Sequence, residues 1–102
     1  MPTMIVLVNL KDDVAPEEYE RWLEERYVPA ILGLASVDEW RGHRVGGLAE
    51  AAGESPYGYI VTVEINDLEQ LGKDMESERV QMLLGELGRY AEVTQLMTER
   101  FI

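Results

Sequence analysis

YGYIVTVEI, residues Tyr57–Ile65, is the stretch on which the fold turns. Tyr57, Tyr59, Val61, Val63 and Ile65 alternate with Ile60, Thr62 and Glu64, a period of two that reads as a β-strand. The first set forms one continuous apolar face, which asks to be covered by helices. The second grows more polar along the strand and suits the lining of a cavity.

Working outward, Asn66-Asp67 caps a helix, with Gln70 placed to reach back in the manner of a capping box. Leu68, Leu71 and Met75 carry its apolar stripe. Glu76-Ser77-Glu78 breaks the phase, and Ser77 caps a further helix that buries Val80, Leu83, Leu84 and Leu87. Thr94–Ile102 reads as the last strand, with Leu96 and Ile102 on one face and Gln95, Met97, Glu99 and Phe101 on the other. On the N-terminal side, Gly46–Pro56 holds three glycines and a proline and is a loop. Before it stands Ser36–Val45 (SVDEWRGHRV), read as a strand with Glu39, Arg41, His43 and Val45 on one face and Asp38, Trp40, Gly42 and Arg44 on the other. Neither face is plainly apolar. The strand is therefore either one wall of a polar pocket or an exposed edge charged against aggregation.

Ala15–Leu34 is helical. Pro16 suits the first helical position, and Glu17, Glu18 and Glu20 complement the helix dipole. Tyr19, Trp22, Leu23 and Tyr27 form its apolar stripe. Pro29 ends or kinks the helix near Tyr27, and a short turn to Leu32 follows, closed by Gly33. Met4–Leu10 (MIVLVNL) is a β-branched run that reads as a strand buried on both faces, interrupted by the amide of Asn9.

The order β-α-β-β-α-β implies one α+β domain, residues 1–102, of the ferredoxin-like kind with an antiparallel sheet. Helices cover one face only. The other would be too large an apolar patch to leave in water, so a second copy is the expected cover and a dimeric α+β barrel the expected assembly. Strand parity then puts Asn9, Arg41, His43, Thr62, Glu64, Gln95 and Glu99 in the barrel interior, with Ile60, Met97 and Phe101.

Bulk properties narrow the function. The 102 residues carry 20 acidic and 9 basic side chains, a net charge of −11. That leaves no electrostatic footprint for nucleic acid or an anionic membrane surface. There is no cysteine, so disulfides, zinc ribbons and thiol catalysis have nothing to work with. The start MPTMIVLVNL lacks a basic region before its short apolar run, so a soluble, cytoplasmic protein is expected. One histidine and no cysteine disfavour a metal site, and Gly46-Gly47 is not a dinucleotide fingerprint; no cofactor is expected.

The pieces YVPAILGLASVDEWRGHRV, SPYGYIVTVEINDLEQ and TERFI resemble the RedY-like (HapK-like) family of bacterial prodiginine and bisindole pigment pathways. The landmarks are Tyr27-x-Pro29, Ser36-Val37, Arg41-x-x-Arg44-Val45, Ser55-Pro56-Tyr57 and Ile65-Asn66-Asp67, spread through nearly the whole chain. The resemblance implies a homodimeric barrel and a small aromatic substrate derived from indole or pyrrole. It also implies a cofactor-independent cyclisation or tautomerisation, with other pathway enzymes as possible partners.

His43 is the leading catalytic candidate, because an unperturbed imidazole titrates near pH 6.5 and so serves as acid or base at working pH. Glu64 or Glu39 would orient it, depending on hairpin register, and Glu64 joins it in the expected catalytic pair. Arg41 offers a bidentate hold on a carboxylate or enolate. Trp40, Tyr57 and Tyr59 offer stacking surface. With Asn9, Glu39, Thr62, Met97 and Glu99 they make up the expected substrate-binding set. Three function classes stay open: a cofactor-free cyclase or isomerase, a cofactor-free oxygenase, and a carrier of a pathway intermediate.

Overall fold

The computed structural model describes residues 2–50 and 52–102; Met1 and, inside the 46–56 loop, Ala51 lie outside the described residues. The elements are β1 (Pro2–Leu10), α1 (Pro16–Trp22), a π-helical turn (Leu23–Tyr27), α2 (Val28–Leu32), β2 (Val37–Arg44), β3 (Tyr59–Ile65), α3 (Leu68–Met75), α4 (Glu78–Tyr90) and β4 (Ala91–Glu99). The strands form one sheet in the order β2-β3-β1-β4, every neighbouring pair antiparallel. This is the ferredoxin-like α+β arrangement that the strand and helix order predicts.

The helices lie over the face formed by Val6 and Val8 of β1, Tyr59, Val61, Val63 and Ile65 of β3, and Ala91 of β4, all buried. Tyr19, Trp22, Leu23, Ile31, Leu71, Leu83 and Leu87 close the core from the helix side. β3 shows the alternation most cleanly, its apolar face buried and its other face half-buried residue by residue. β1 departs from the expectation of burial on both faces. Its even residues Val6 and Val8 are buried, whereas Ile5 and Leu7 are only half-buried, because no helix covers their side.

The break at Pro29 takes a specific form. Proline has no N–H and its ring crowds the carbonyl four residues back. The chain accommodates this by widening the preceding turn, so that the Val28 N–H bonds to the carbonyl of Leu23, five residues earlier. Asp67 and Ser77 cap α3 and α4 as expected: Asp67 accepts from the N–H groups of Glu69 and Gln70, and Ser77 from that of Val80. Gln70 does not reach back, however; its amide donates to Asp74 at 2.8 Å. Among the described residues no helix is long and apolar enough to cross a membrane.

Candidate functional site

β2 is an edge strand, and its start is irregular. Val37 pairs with Ile65 and Glu39 with Glu64, so Asp38 is an extra residue, a β-bulge. Side chains pin it: the Asn66 amide donates to Asp38 Oδ1 at 2.7 Å and to the Ala35 carbonyl at 2.9 Å. The fully buried Ser36 donates its hydroxyl to Asp74 Oδ2 at 2.6 Å and its N–H to the same oxygen at 3.1 Å. These bonds hold the Asp74 carboxyl below its ordinary range, the Ser36 hydroxyl contributing most. From the bulge onward, Trp40, Gly42 and Arg44 pair with Val63, Val61 and Tyr59 on the helix-covered face. Glu39, Arg41 and His43 take the open face.

Between this edge and the segment α1–α2 runs a cleft of about 810 Å³. Leu23, Val28, Pro29 and Leu32 line it from the helices and Trp40, Gly42, His43 and Arg44 from β2, with Glu20, Glu24 and Tyr59 at the polar end. The Trp40 indole folds over Gly42, where an added Cβ would stand 2.9 Å from the ring. Any larger residue there would unseat the ring. At the polar end Arg44 Nε donates to Glu20 Oε2 at 2.8 Å, a second Arg44 nitrogen reaches Glu20 Oε1, and the Tyr59 hydroxyl donates to Oε2 at 2.7 Å. Arg44 first, and then Tyr59, lower the Glu20 carboxyl to about 2. Burial, reinforced by Glu20, pushes Tyr59 up to about 12. A group of side chains that perturb one another at the end of a cleft is a candidate for function on physical grounds.

The open face holds a different set. Arg41 Nε bonds Glu39 Oε1, and the Thr3 hydroxyl lies 3.0 Å from both Glu64 oxygens. Glu39 stands opposite Glu64, Arg41 opposite Thr62 and His43 opposite Ile60. Glu64 is thus offset from His43 by four residues along β3, about 13 Å at the usual rise per residue. The expected His43–Glu64 catalytic pair is not formed within one protomer; hairpin register, which sequence does not specify, decides against it.

Other expected residues are also relocated. Asn9 spends its amide on the loop, donating to the Pro56 carbonyl at 2.7 Å and accepting from the Gly58 N–H at 3.1 Å. Tyr57 lies just before β3, its N–H bonded to the Ser55 hydroxyl, and is separate from the cleft that takes Tyr59. Met97 and Glu99, with Gln95, do not share the open face. Val6 pairs with Gln95 and Met4 with Met97, which puts them on the helix-covered side, while Thr94, Leu96 and Thr98 face the open side. The expected β4 parity is one residue out, because the strand starts at Ala91, directly after α4, and its buried residue is Ala91. Counting from Thr94 missed that anchor. Phe101 lies beyond the strand and is 92% exposed.

The structure therefore brings Trp40 and Tyr59 to the cleft and leaves Glu39, Arg41, Thr62 and Glu64 on the open face; His43 shares that open face and borders the cleft from the edge of β2. Glu20, the acceptor that organises the polar end, was not among the expected site residues; its place in the first helical turns reads as dipole compensation. The available signal was its position next to the buried Tyr19, on the side of the helix that faces the strands.

The sequence profile of the family described as REDY-like protein HapK matches residues 2–101. The crystal structure of HapK from Hahella chejuensis is similar at a TM-score of 0.81 and 28% identity, over 99% of this chain and 93% of that one. SnoaB, a cofactor-independent oxygenase from Streptomyces nogalater, gives a TM-score of 0.80 at 9% identity, over 99% of this chain and 93% of its own. A dimeric ferredoxin-like protein from Thermobifida fusca gives 0.73 at 12% identity, over 97% and 90%. These last two show a shared fold. No curated protein matches the chain. With the profile spanning all but the first and last residues, the chain belongs to the REDY-like HapK family.

Proposed function

We propose that this protein is a cofactor-independent enzyme of bacterial bisindole or pyrrole pigment biosynthesis. It catalyses a redox-neutral cyclisation or isomerisation of a reactive indole- or pyrrole-derived intermediate, with His43 moving the proton. The observation that carries this reading is the meeting of two surfaces at the β2 edge: the chain's one histidine faces the open side and also borders a cleft lined by Trp40 and ended by the Tyr59–Glu20–Arg44 cluster. An indole surface suits a flat aromatic ligand, and a positioned imidazole is the commonest group for proton transfer. Family membership supports the pathway.

The protein works as a homodimer, the second copy covering the open sheet face. Exposed Leu96 and half-buried Ile5, Leu7 and Ile60 on that face support this, as does the dimeric fold relative from Thermobifida fusca. Arg41 and Glu64 then act at or near the barrel interior.

The test is product formation from a bisindole intermediate with and without the protein, in air and under argon. His43→Gln keeps size and polarity and should lower the protein-dependent rate by about 10²–10⁴-fold, while the variant still dimerises. Full activity in His43→Gln overturns the proton-transfer role. A strict oxygen requirement favours the second reading, a cofactor-free oxygenase, to which the shared fold with SnoaB gives its support.

A further inference from the structure

Two cavities meet at two side chains. Besides the edge cleft, an apolar chamber lies between the sheet and the helices, lined by residues such as Val63, Ile65, Leu71 and Leu87, with about 30 Å³ free. That is room for a water molecule or so and not for a ring, and an apolar lining gives water few partners. Trp40 and Leu23 line both the chamber and the cleft. The wall between the two spaces is thus made of their side chains.

The wall's two components differ in how firmly they are held. Leu23 is buried among the core residues. Trp40 is only half-buried, packs against the core from an edge strand, and lays the far end of its ring over Gly42, which has no side chain to hold it. We propose that Trp40 is a swinging partition, and that its displacement extends the cleft inward into an apolar subsite for a planar aromatic ring. A flat ring is favoured over a flexible chain because the opening is already closed by a flat ring, so the incoming group replaces like with like. Polar substituents stay outside, where Glu20, Arg44 and His43 stand. A door of this kind reduces apparent affinity by the fraction of time it is open, and removing it restores that factor.

The inference rests on the cleft being the ligand site, and the experiment separates the two. Methyl NMR on the full chain, with toluene as the probe and hexan-1-ol as a flexible control, reads each space through its own residues. Val28 and Leu32 report the cleft; Val63 and Leu71 report the chamber. Toluene is expected to shift both sets on one saturation curve, and hexan-1-ol to leave the chamber set unmoved. Trp40→Ala should tighten toluene binding in the chamber by about tenfold, for a door open about a tenth of the time. If Trp40→Ala does not fold, Trp40→Phe, with a smaller ring, should give a weaker gain in the same direction. Cleft shifts without chamber shifts, in native and variant protein alike, overturn the partition and leave the cleft standing. Silence in both sets overturns the cleft as well. Equal chamber affinity with and without the Trp40 indole, or equal entry of hexan-1-ol, overturns the role given to the ring.

Discussion

The two faces of β3 are built from adjacent residues and obey different rules. Tyr59, Val61, Val63 and Ile65 are buried under helices of the same chain, and Ile65 is fully so. Ile60, Thr62 and Glu64 are half-buried, opposite His43, Arg41 and Glu39, on the side away from the helix-covered core among the described residues. The first face is complete in itself. The second is a mosaic of apolar and charged groups whose energetics depend on what is laid over it.

The largest expected effect tests the covered face. Ile65→Ala removes a fully buried side chain and should cost about 2–5 kcal/mol, read as a lower urea midpoint with unchanged slope. A loss below about 1 kcal/mol would mean that this face is not the core. The same truncation at Ile60 should cost less, and its cost should grow with protein concentration if a second copy covers the open face. Ile60→Glu sharpens the contrast: a carboxylate between Leu7 and His43, on the face a second copy would cover, should leave the fold intact by circular dichroism and yield monomers in sedimentation at micromolar concentration.

Smaller still is the effect of Glu20→Gln at the rim of the covered face. The Glu20 carboxyl is held at about 2, against an ordinary 4.5, chiefly by Arg44. Because the folded value lies below the unfolded one, the stabilisation is complete above about pH 4.5 and is lost as the pH falls toward 2. Glu20→Gln should flatten that part of the stability–pH curve and leave the rest in place. Arg44 is largely exposed, at 76%, so the loss at neutral pH should be small and shrink with added salt. A variant curve that keeps the native acid slope would assign that slope to other carboxylates.

The covered face was also the legible one. Period-two alternation in Tyr57–Ile65 and the stripes of Tyr19, Trp22, Leu83 and Leu87 report burial directly, because the covering residues lie in the same sequence. Ser77 and Asp67 announced their helices for the same local reason. What failed depended on non-local geometry. Hairpin register separates Glu64 from His43, and Asn9 is consumed by a loop 47 residues away in sequence. Met97 and Glu99 were placed on the wrong face because Ala91, the residue that fixes β4's phase, follows the last helix without a break. The cleft was legible in part. Trp40, His43 and Tyr59 stood out as residue types, but Glu20 gains its meaning only when Arg44 and Tyr59 are brought to it by the sheet.

Asp38 has a consequence for how this chain tolerates change. It works as a half-period phase shifter: the residue before it, Val37, and the odd-numbered residues after it point to opposite sides of the sheet. Deleting it would close the bulge and leave every later residue on its present face, because Val37 and Glu39 already stand opposite successive residues of β3, Ile65 and Glu64. Drawing Asp38 into the ladder as an ordinary strand residue would do the opposite: Glu39, Arg41 and His43 would be driven under the helices, and Trp40 and Arg44 would be turned out onto the other side. The Asn66 amide, which holds the Asp38 carboxylate, therefore helps set the frame in which every later residue of the strand is read.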